Sequence, residues 1–183
     1  MKTIKLYTIA ILGILSLVSC KNDDEFYNAV YVSVPNLITI DTPGSYTVGD
    51  NVVFHTDFSR YLEEDGLTTL LDVYKTSQAE SFGFAYRLEK ETAPDVWTSI
   101  LLNEDEYSVA EAVYQSETMT YKCDKSIGLN SPGEYRLSFG ESYTGNQSTD
   151  LISRNPSNKT SVRITTNANS LDAQGYYYFT VIP

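Results

Sequence analysis

The chain has 183 residues, enough for one domain with a sizeable core, and 42% of them are hydrophobic, as in globular proteins. It carries 24 Asp and Glu against 13 Lys and Arg, which gives a net charge of −11. A surface this acidic repels the phosphate backbone, so we expect no nucleic acid among its partners.

The N-terminal segment has the pattern of a secretion signal. Lys2 and Lys5 precede the apolar stretch LYTIAILGILSLV, and Ser19-Cys20 follows it. This stretch is too short to cross a bilayer of about 30 Å as a helix. It also has no amphipathic period, so we do not expect it to pack as a helix or strand of the folded domain.

The end of this segment, Leu17-Val18-Ser19-Cys20, resembles the bacterial lipobox. The resemblance implies a lipoprotein signal peptide at residues 1–19, which is removed, and acylation of Cys20, which anchors the chain in the outer-membrane bilayer. The residues that follow resemble the acidic export tag of Bacteroidota surface lipoproteins; they are Lys21, Asn22, Asp23, Asp24 and Glu25. This tag implies display on the cell surface, and a periplasm-facing lipoprotein is the alternative.

Residues 20–29 are predicted to form an acidic tether and residues 30–183 an all-β domain. Apolar residues recur there at period two between Gly-, Pro- and Asn-containing turns, which is typical of strands. The predicted strands are residues 30–34, 51–61, 81–90, 96–102, 118–124, 134–140, 161–167 and 176–182. Residues 108–117, SVAEAVYQSE, have the most helical pattern, or else form a bulged strand. About eight strands without intervening helices predict an antiparallel β-sandwich or a barrel.

The alternation also predicts which side chains form the core. In residues 81–90 the apolar face holds Phe82, Phe84, Tyr86 and Leu88, whereas Gly83, Ala85, Arg87 and Glu89 lie on the other face. In residues 51–61, Val52, Phe54, Thr56 and Phe58 oppose Val53, His55 and Asp57 in the same way. We expect the two apolar faces to meet across the two sheets of the sandwich.

The stretch LNSPGEYRLSF places Tyr135 just after a Pro132-Gly133 turn. It resembles the tyrosine corner of immunoglobulin-like and fibronectin-like sandwiches, whose hydroxyl bonds to the chain upstream. Leu137 stands where antibody domains have a cysteine, so the resemblance implies a disulfide-free sandwich. The stretch YTVGDNVVF, with the LDVYKT segment and aromatic strand after it, is similar to uncharacterised Bacteroidota lipoproteins with one such domain. That similarity implies a fold and a location but no activity.

Histidine and cysteine give little support for nucleophilic or zinc chemistry. His55 is the sole histidine, and alternation places it on the polar face of its strand. If Cys20 is acylated, Cys123 is the remaining thiol, and it alternates with Met119 and Tyr121 as a core residue would. We therefore expect a buried, unreactive thiol.

Two acidic loops offer carboxylates. Their residues are Glu63, Glu64 and Asp65 in one loop and Glu104, Asp105 and Glu106 in the other. If the loops met, they would form the acid and base pair of a carboxylate-dependent hydrolase. Four of these residues, Glu63, Asp65, Glu104 and Asp105, are weak candidates for calcium, although the spaced pattern of a calcium-binding loop is absent. Acidic loop tips are more often simply solvated, so no cofactor is required.

A binding surface is the remaining functional signal. Trp97 and the run Tyr176-Tyr177-Tyr178-Phe179 supply aromatic rings. Alternation turns at least one of Tyr177 and Tyr178 away from the core unless both faces of the sheet are covered. We therefore predict a noncatalytic binding or structural module, an accessory subunit of an outer-membrane protein complex, with Trp97, Tyr177 and Tyr178 as candidate contact residues. The alternative is a glycan-binding lipoprotein for polysaccharide capture, in which these rings stack on sugars. Core packing would also account for them.

Overall fold

The computed structural model describes residues 28–63, 68–100, 108–140 and 147–183. Within these ranges the chain forms fourteen strands and one short helix, α1 (Val73–Ser77). The strands are β1 Asn28–Ser33, β2 Ile38–Ile40, β3 Tyr46–Thr47, β4 Asn51–Ser59, β5 Tyr61–Leu62, β6 Leu71–Asp72, β7 Ser81–Ala93, β8 Val96–Ser99, β9 Ser108–Gln115, β10 Thr120–Gly128, β11 Gly133–Phe139, β12 Ser148–Ser153, β13 Thr160–Asn167 and β14 Tyr176–Ile182.

The predicted all-β class is confirmed, and each of the eight predicted strands has a counterpart: β1, β4, β7, β8, β10, β11, β13 and β14. The estimate of about eight strands is too low for the described residues. Four of the additional strands (β2, β3, β5 and β6) have only two or three residues. A stretch that short contains no measurable period, so alternation cannot identify it.

The helical interpretation of residues 108–117 is wrong, because Ser108–Gln115 forms strand β9. Its alanines, Ala110 and Ala112, are buried, while Val109 and Val113 are about half exposed. Alanine and glutamate favour a helix locally, but pairing with β7 on one side and β10 on the other overrides that preference.

β7 organises the sheet because it has different neighbours along its length. Residues 81–86 pair with β9 and residues 82–83 with β12. Further along, residues 86–90 pair with β11, and β8 takes the place of β9. One arm of the sheet therefore runs β1-β13-β12-β7-β9-β10-β4-β2, and a second arm runs β7-β11-β14-β3. The result is one curled, mixed sheet.

The prediction of a purely antiparallel sheet is wrong for two pairs. β1 runs parallel to β13, and β3 runs parallel to β14. A strand's hydrophobic pattern reports which of its faces is buried, but the direction of its neighbour depends on where the chain returns. The antiparallel pairs elsewhere include β7 with β8 and β9 with β10, which follow one another along the chain.

The core lies inside the curl, and the predicted inward faces are confirmed. Val52, Phe54, Thr56, Phe58, Phe82, Phe84, Tyr86 and Leu88 are all buried. Phe54 joins the arms, because its ring centroid lies 5.1 Å from that of Tyr86 and 5.0 Å from that of Phe139, both edge-to-face. Such aromatic pairs contribute roughly 0.5–1.5 kcal/mol beyond the apolar area that they bury.

Tyr135 begins the buried face of β11. Its hydroxyl donates to the carbonyl of Ser131, four residues upstream, at 2.8 Å. Its ring stacks on Phe179 of β14, with centroids 5.6 Å apart. Gly133, in the preceding turn, has φ +141°, and a Cβ there would lie 2.8 Å from Cε of Lys90, so this position requires glycine.

The segment around α1 is fixed by an ion pair. Asp72 caps the helix by accepting from the Lys75 amide, and it also accepts from Nε of Arg60 at 3.0 Å. Arg60 donates in addition to the Tyr114 hydroxyl of β9. These contacts attach α1 to the sheet. In the part of the chain that the structure describes, no helix is long and apolar enough to cross a bilayer.

Candidate functional site

The second arm of the sheet carries a cluster of charged and aromatic side chains on its outer face, away from the core. Arg136 of β11 lies between Glu89 of β7 and Tyr178 of β14, because the pairing register places these three opposite one another. Trp97 of β8 and Tyr176 of β14 complete the cluster. We call the surface formed by Glu89, Trp97, Arg136, Tyr176 and Tyr178 the Arg136 face.

The Arg136 guanidinium is held on three sides. Its Nε donates to Oε2 of Glu89 at 2.7 Å. Its central carbon lies 4.5 Å from the Trp97 ring centroid and 4.2 Å from that of Tyr176. Both distances are within the range of cation–π attraction. These three contacts hold the side chain in one conformation.

The charges beneath this face are largely removed from solvent. Glu89 is 5% exposed and Arg87 is 8% exposed, with Nη1 of Arg87 3.7 Å from Oε1 of Glu89. Burial acts to lower the pKa of Arg136, but hydrogen bonds to Glu89 and Tyr178 outweigh it and raise that pKa above its usual value. Arg136 therefore remains charged. Alternation placed Arg87 and Glu89 on the correct face of the strand but gave no sign that they are buried.

The aromatic rings are accessible but not coplanar. Trp97 is half-buried and Tyr178 is 48% exposed. Their centroids are 5.6 Å apart, with an angle of 71° between the ring planes. One face of the Trp97 indole is covered by Arg136. The two rings therefore meet at a steep angle and do not form a flat aromatic surface.

The structure separates Tyr177 from the other two candidate contact residues. Tyr177 points to the inner side of the sheet, where it packs against the core and stacks on Phe179. Its hydroxyl lies 3.5 Å from that of Tyr46. Alternation predicted that one of the pair Tyr177 and Tyr178 turns outward, and that residue is Tyr178.

The remaining candidate residues do not join this cluster. His55 is half-buried on β4, with Nδ1 3.6 Å from a carboxylate oxygen of Asp41. Cys123 is buried on β10, and burial raises the pKa of its thiol. Glu63 is exposed next to β5.

Several predictions concern residues outside the described ranges. These are the acylation of Cys20, the export tag Lys21, Asn22, Asp23, Asp24 and Glu25, and the carboxylates Glu64, Asp65, Glu104, Asp105 and Glu106. The calcium and hydrolase alternatives therefore stay predictions. Among the described residues, no three His, Cys, Asp or Glu side chains come together as a metal site.

The Arg136 face was only partly predictable. Trp97 and Tyr178 were candidates because they are aromatic, whereas Arg136 and Glu89 were missed. Opposite charges on two strands would have been informative only with the register that places them opposite each other. No protein-family model, curated protein or solved structure matches this chain.

Proposed function

We propose that this chain is a noncatalytic binding module, anchored through acylated Cys20 and displayed at the cell surface as an accessory subunit of an outer-membrane protein complex. The Arg136 face is its contact surface for the protein partner. The observation that carries this proposal is the Trp97–Arg136–Tyr178 cluster, in which Tyr178 is 48% exposed and Trp97 is half-buried. Trp, Tyr and Arg are the residues that most often dominate binding energy at protein interfaces.

Preorganisation supports a contact role. Ordering a long side chain on binding costs roughly 0.5–1.5 kcal/mol, and Arg136 is already ordered by Glu89, Trp97 and Tyr176. Tyr178 adds an exposed ring whose hydroxyl can bond to a partner. A rigid aromatic cluster built around one charge thus suits a partner that offers a carboxylate or a backbone carbonyl beside an apolar pocket.

Glycan binding for polysaccharide capture is the second candidate, favoured by the exposure of Tyr178 and the partial exposure of Trp97. Sugar rings stack on open aromatic faces. The 71° angle between the two rings allows one sugar to stack on one ring but gives no shared plane for adjacent sugars. The geometry therefore favours the protein partner.

Co-purification tests the first candidate. The full chain, tagged at its C-terminus, is extracted from its own membranes in mild detergent, as wild type and as Trp97→Ala/Tyr178→Ala. Tyr31→Ala is the matched control, because Tyr31 is 65% exposed on β1, outside the Arg136 face. We expect one outer-membrane protein to be retained by wild type and control and lost from the double variant, since a hot-spot truncation costs about 2 kcal/mol or more.

Two results would contradict the proposal: a chain that always purifies alone, or a double variant that keeps its partner. Unchanged thermal melting of each variant shows that the fold is intact. The glycan candidate is separated by retention on immobilised polysaccharide. Retention by wild type that Tyr178→Ala abolishes would favour it over the protein partner.

The proposed anchor is tested separately with radiolabelled palmitate. We expect wild-type protein to incorporate label and Cys20→Ala to remain unlabelled and leave the membrane fraction. Antibody binding to intact cells distinguishes surface display from a periplasm-facing position. Alanine replacement of residues 21–25 is expected to abolish antibody binding while palmitate incorporation continues.

We also propose that the curled sheet is a disulfide-free, immunoglobulin-like β-sandwich. The support is Tyr135, with its bond to the Ser131 carbonyl at the start of β11. An experimentally determined structure tests this proposal through its strand order. A single closed barrel, with no separation into two facing layers, would overturn it.

A further inference from the structure

A cavity of about 550 Å³ opens on the outer face of the first arm, at the point where β7 changes its neighbour. β12 pairs with β7 only at Gly83 and Phe82. Two residues beyond Gly83, the Ala85 carbonyl instead accepts from the Gly140 amide, just after β11. β12 and β7 diverge between these points, and the cavity occupies the space. Its volume is within the roughly 300–1,000 Å³ typical of small-molecule sites.

The floor of the cavity has little side-chain bulk, because Gly83 has no side chain and Ala85 has only a methyl group. A Cβ built on Gly83 would lie 2.4 Å from Nε of Arg154. Glycine at this position therefore allows the Arg154 guanidinium to cross β7 close to the backbone. The position of this arginine depends directly on the absence of a side chain beneath it.

Two arginines at the cavity are paired only loosely. Nε of Arg154 lies 3.9 Å from Glu111, and Nη1 of Arg163 lies 3.5 Å from Asp150. A charge-assisted hydrogen bond is about 2.7–2.9 Å long, and Arg136 reaches its carboxylate at 2.7 Å. Both cavity arginines are close to half exposed. Their N–H groups are thus placed to donate to an incoming ligand.

The charged side chains at the cavity restrict the chemical class of ligand that it can bind. Among the described residues, the charges of Arg154 and Arg163 are balanced by the carboxylates of Glu111 and Asp150, so the site has no net charge in a chain whose net charge is −11. A monoanion can accept from these two loosely paired guanidiniums with less repulsion from Asp150 and Glu111 than a dianion such as hydrogen phosphate. Asp150 also accepts hydrogen bonds, already taking one from Thr165 at 2.7 Å. A hydroxylated ligand supplies further donors.

We propose that this cavity binds a small hydroxylated carboxylate of sugar size. Arg154 and Arg163 donate to the carboxylate, Asp150 accepts from a hydroxyl group, and the body of the ligand lies over Gly83 and Ala85. This site lies on the other arm of the sheet from the Arg136 face, and ligand binding there requires no protein partner.

Isothermal titration of the full chain with sodium glucuronate tests the proposal, with glucose as the neutral probe of matched shape and inorganic phosphate as the dianion. We expect glucuronate to bind with millimolar or tighter affinity and at least about tenfold more tightly than glucose, since the carboxylate makes charge-assisted bonds. Phosphate is expected to bind more weakly than glucuronate. Equal binding of glucuronate and glucose, or no binding of glucuronate at about 10 mM, overturns the proposal.

Two variants, each with a matched control, test whether glucuronate binds at this cavity. Arg154→Gln is expected to weaken glucuronate binding about tenfold, while the control Lys122→Gln, whose ammonium pairs with Asp57 on the surface, leaves it unchanged. Gly83→Ala should also weaken binding by displacing Arg154. Its control is Gly128→Ala, where the new Cβ would meet nothing nearer than 3.6 Å.

Wild-type affinity in Arg154→Gln, or equal losses in a variant and its control, would contradict this site. Gly83→Ala is expected to fold normally, because the added methyl group meets the end of a flexible side chain rather than backbone. Trp97→Ala/Tyr178→Ala should bind glucuronate like wild type. Failure of the protein-partner proposal and failure of this one are therefore distinguishable.

Discussion

Arg136 on β11 donates to Glu89 on β7 at 2.7 Å, and the two residues are direct cross-strand partners. The same carboxylate lies 3.7 Å from Arg87, so one buried anion serves two guanidiniums on the outer face of the sheet. Buried charges are tolerated when they are paired and hydrogen-bonded. Glu89 therefore supplies the negative charge that balances the arginines beneath the Arg136 face.

Glu89→Ala is therefore expected to destabilise the fold by about 3–5 kcal/mol, because it leaves the charge of Arg136 without its carboxylate in a largely buried position. Urea unfolding followed by circular dichroism measures the change. Glu134→Ala on β11 is the control, because Glu134 is exposed and accepts a hydrogen bond from the Thr180 hydroxyl. Equal losses in the two variants would contradict the special role of Glu89.

Tyr135→Phe removes the hydroxyl that donates to the Ser131 carbonyl and keeps the ring that stacks on Phe179. We expect a loss of about 0.5–1.5 kcal/mol in the free energy of unfolding, the usual net value of one hydrogen bond. Tyr31→Phe, at a residue 65% exposed, should change stability much less. A Tyr135→Phe variant as stable as wild type would show that the bond contributes nothing.

Asp72 predicts a dependence of stability on acid pH. Burial acts to raise its pKa, but the hydrogen bonds from Arg60 and the Lys75 amide outweigh this and lower the pKa below the ordinary 3.8. A carboxyl group whose pKa is lower in the folded state stabilises the fold fully above its unfolded pKa, and that contribution is lost as the pH falls through the folded pKa.

Asp72→Asn keeps a helix-capping oxygen but removes the charge facing Arg60. We expect it to lower stability by about 1.5–3 kcal/mol at pH 7, and the difference from wild type should shrink below about pH 4. Asp57→Asn, in an exposed pair with Lys122, is the control, expected to change stability by about 0–1 kcal/mol. A wild-type advantage that persists undiminished at pH 2 would refute the assignment.

Cys123 is expected to resist alkylation in the folded protein. Its side chain is 8% exposed, and burial, followed by the charge of Asp124, raises its pKa, so little thiolate forms at neutral pH. Iodoacetamide should modify the Cys123 peptide at least about tenfold more slowly in native protein than in urea, as measured by mass spectrometry. Ser126→Cys, at an exposed position of the same strand, supplies the reactive control; equal rates at both positions would contradict burial.

Much of the fold was readable from the sequence because alternation records which side of a strand avoids water. The alternating positions of Phe54 and Phe58, and of Phe82 and Phe84, identify the buried face of each strand without any knowledge of the strands that cover it. The short strands and the parallel pairs of β1 and β3 were not readable. Two or three residues are too few to show a period of two. The hydrophobic pattern of one strand also does not indicate whether its neighbour runs parallel or antiparallel to it.

The residues of the two proposed sites were likewise predictable only in part from the sequence. The sequence by itself determined the acidic charge, the signal-like N-terminus, the strand faces, and the choice of Trp97 and Tyr178 as aromatic candidates. Only the tertiary structure decided that Arg136 faces Glu89, and that a cavity with Arg154 opens beside Gly83. Both depend on β7 exchanging neighbours along its length, and register between distant strands is set by packing of the whole sheet rather than by any local stretch of sequence.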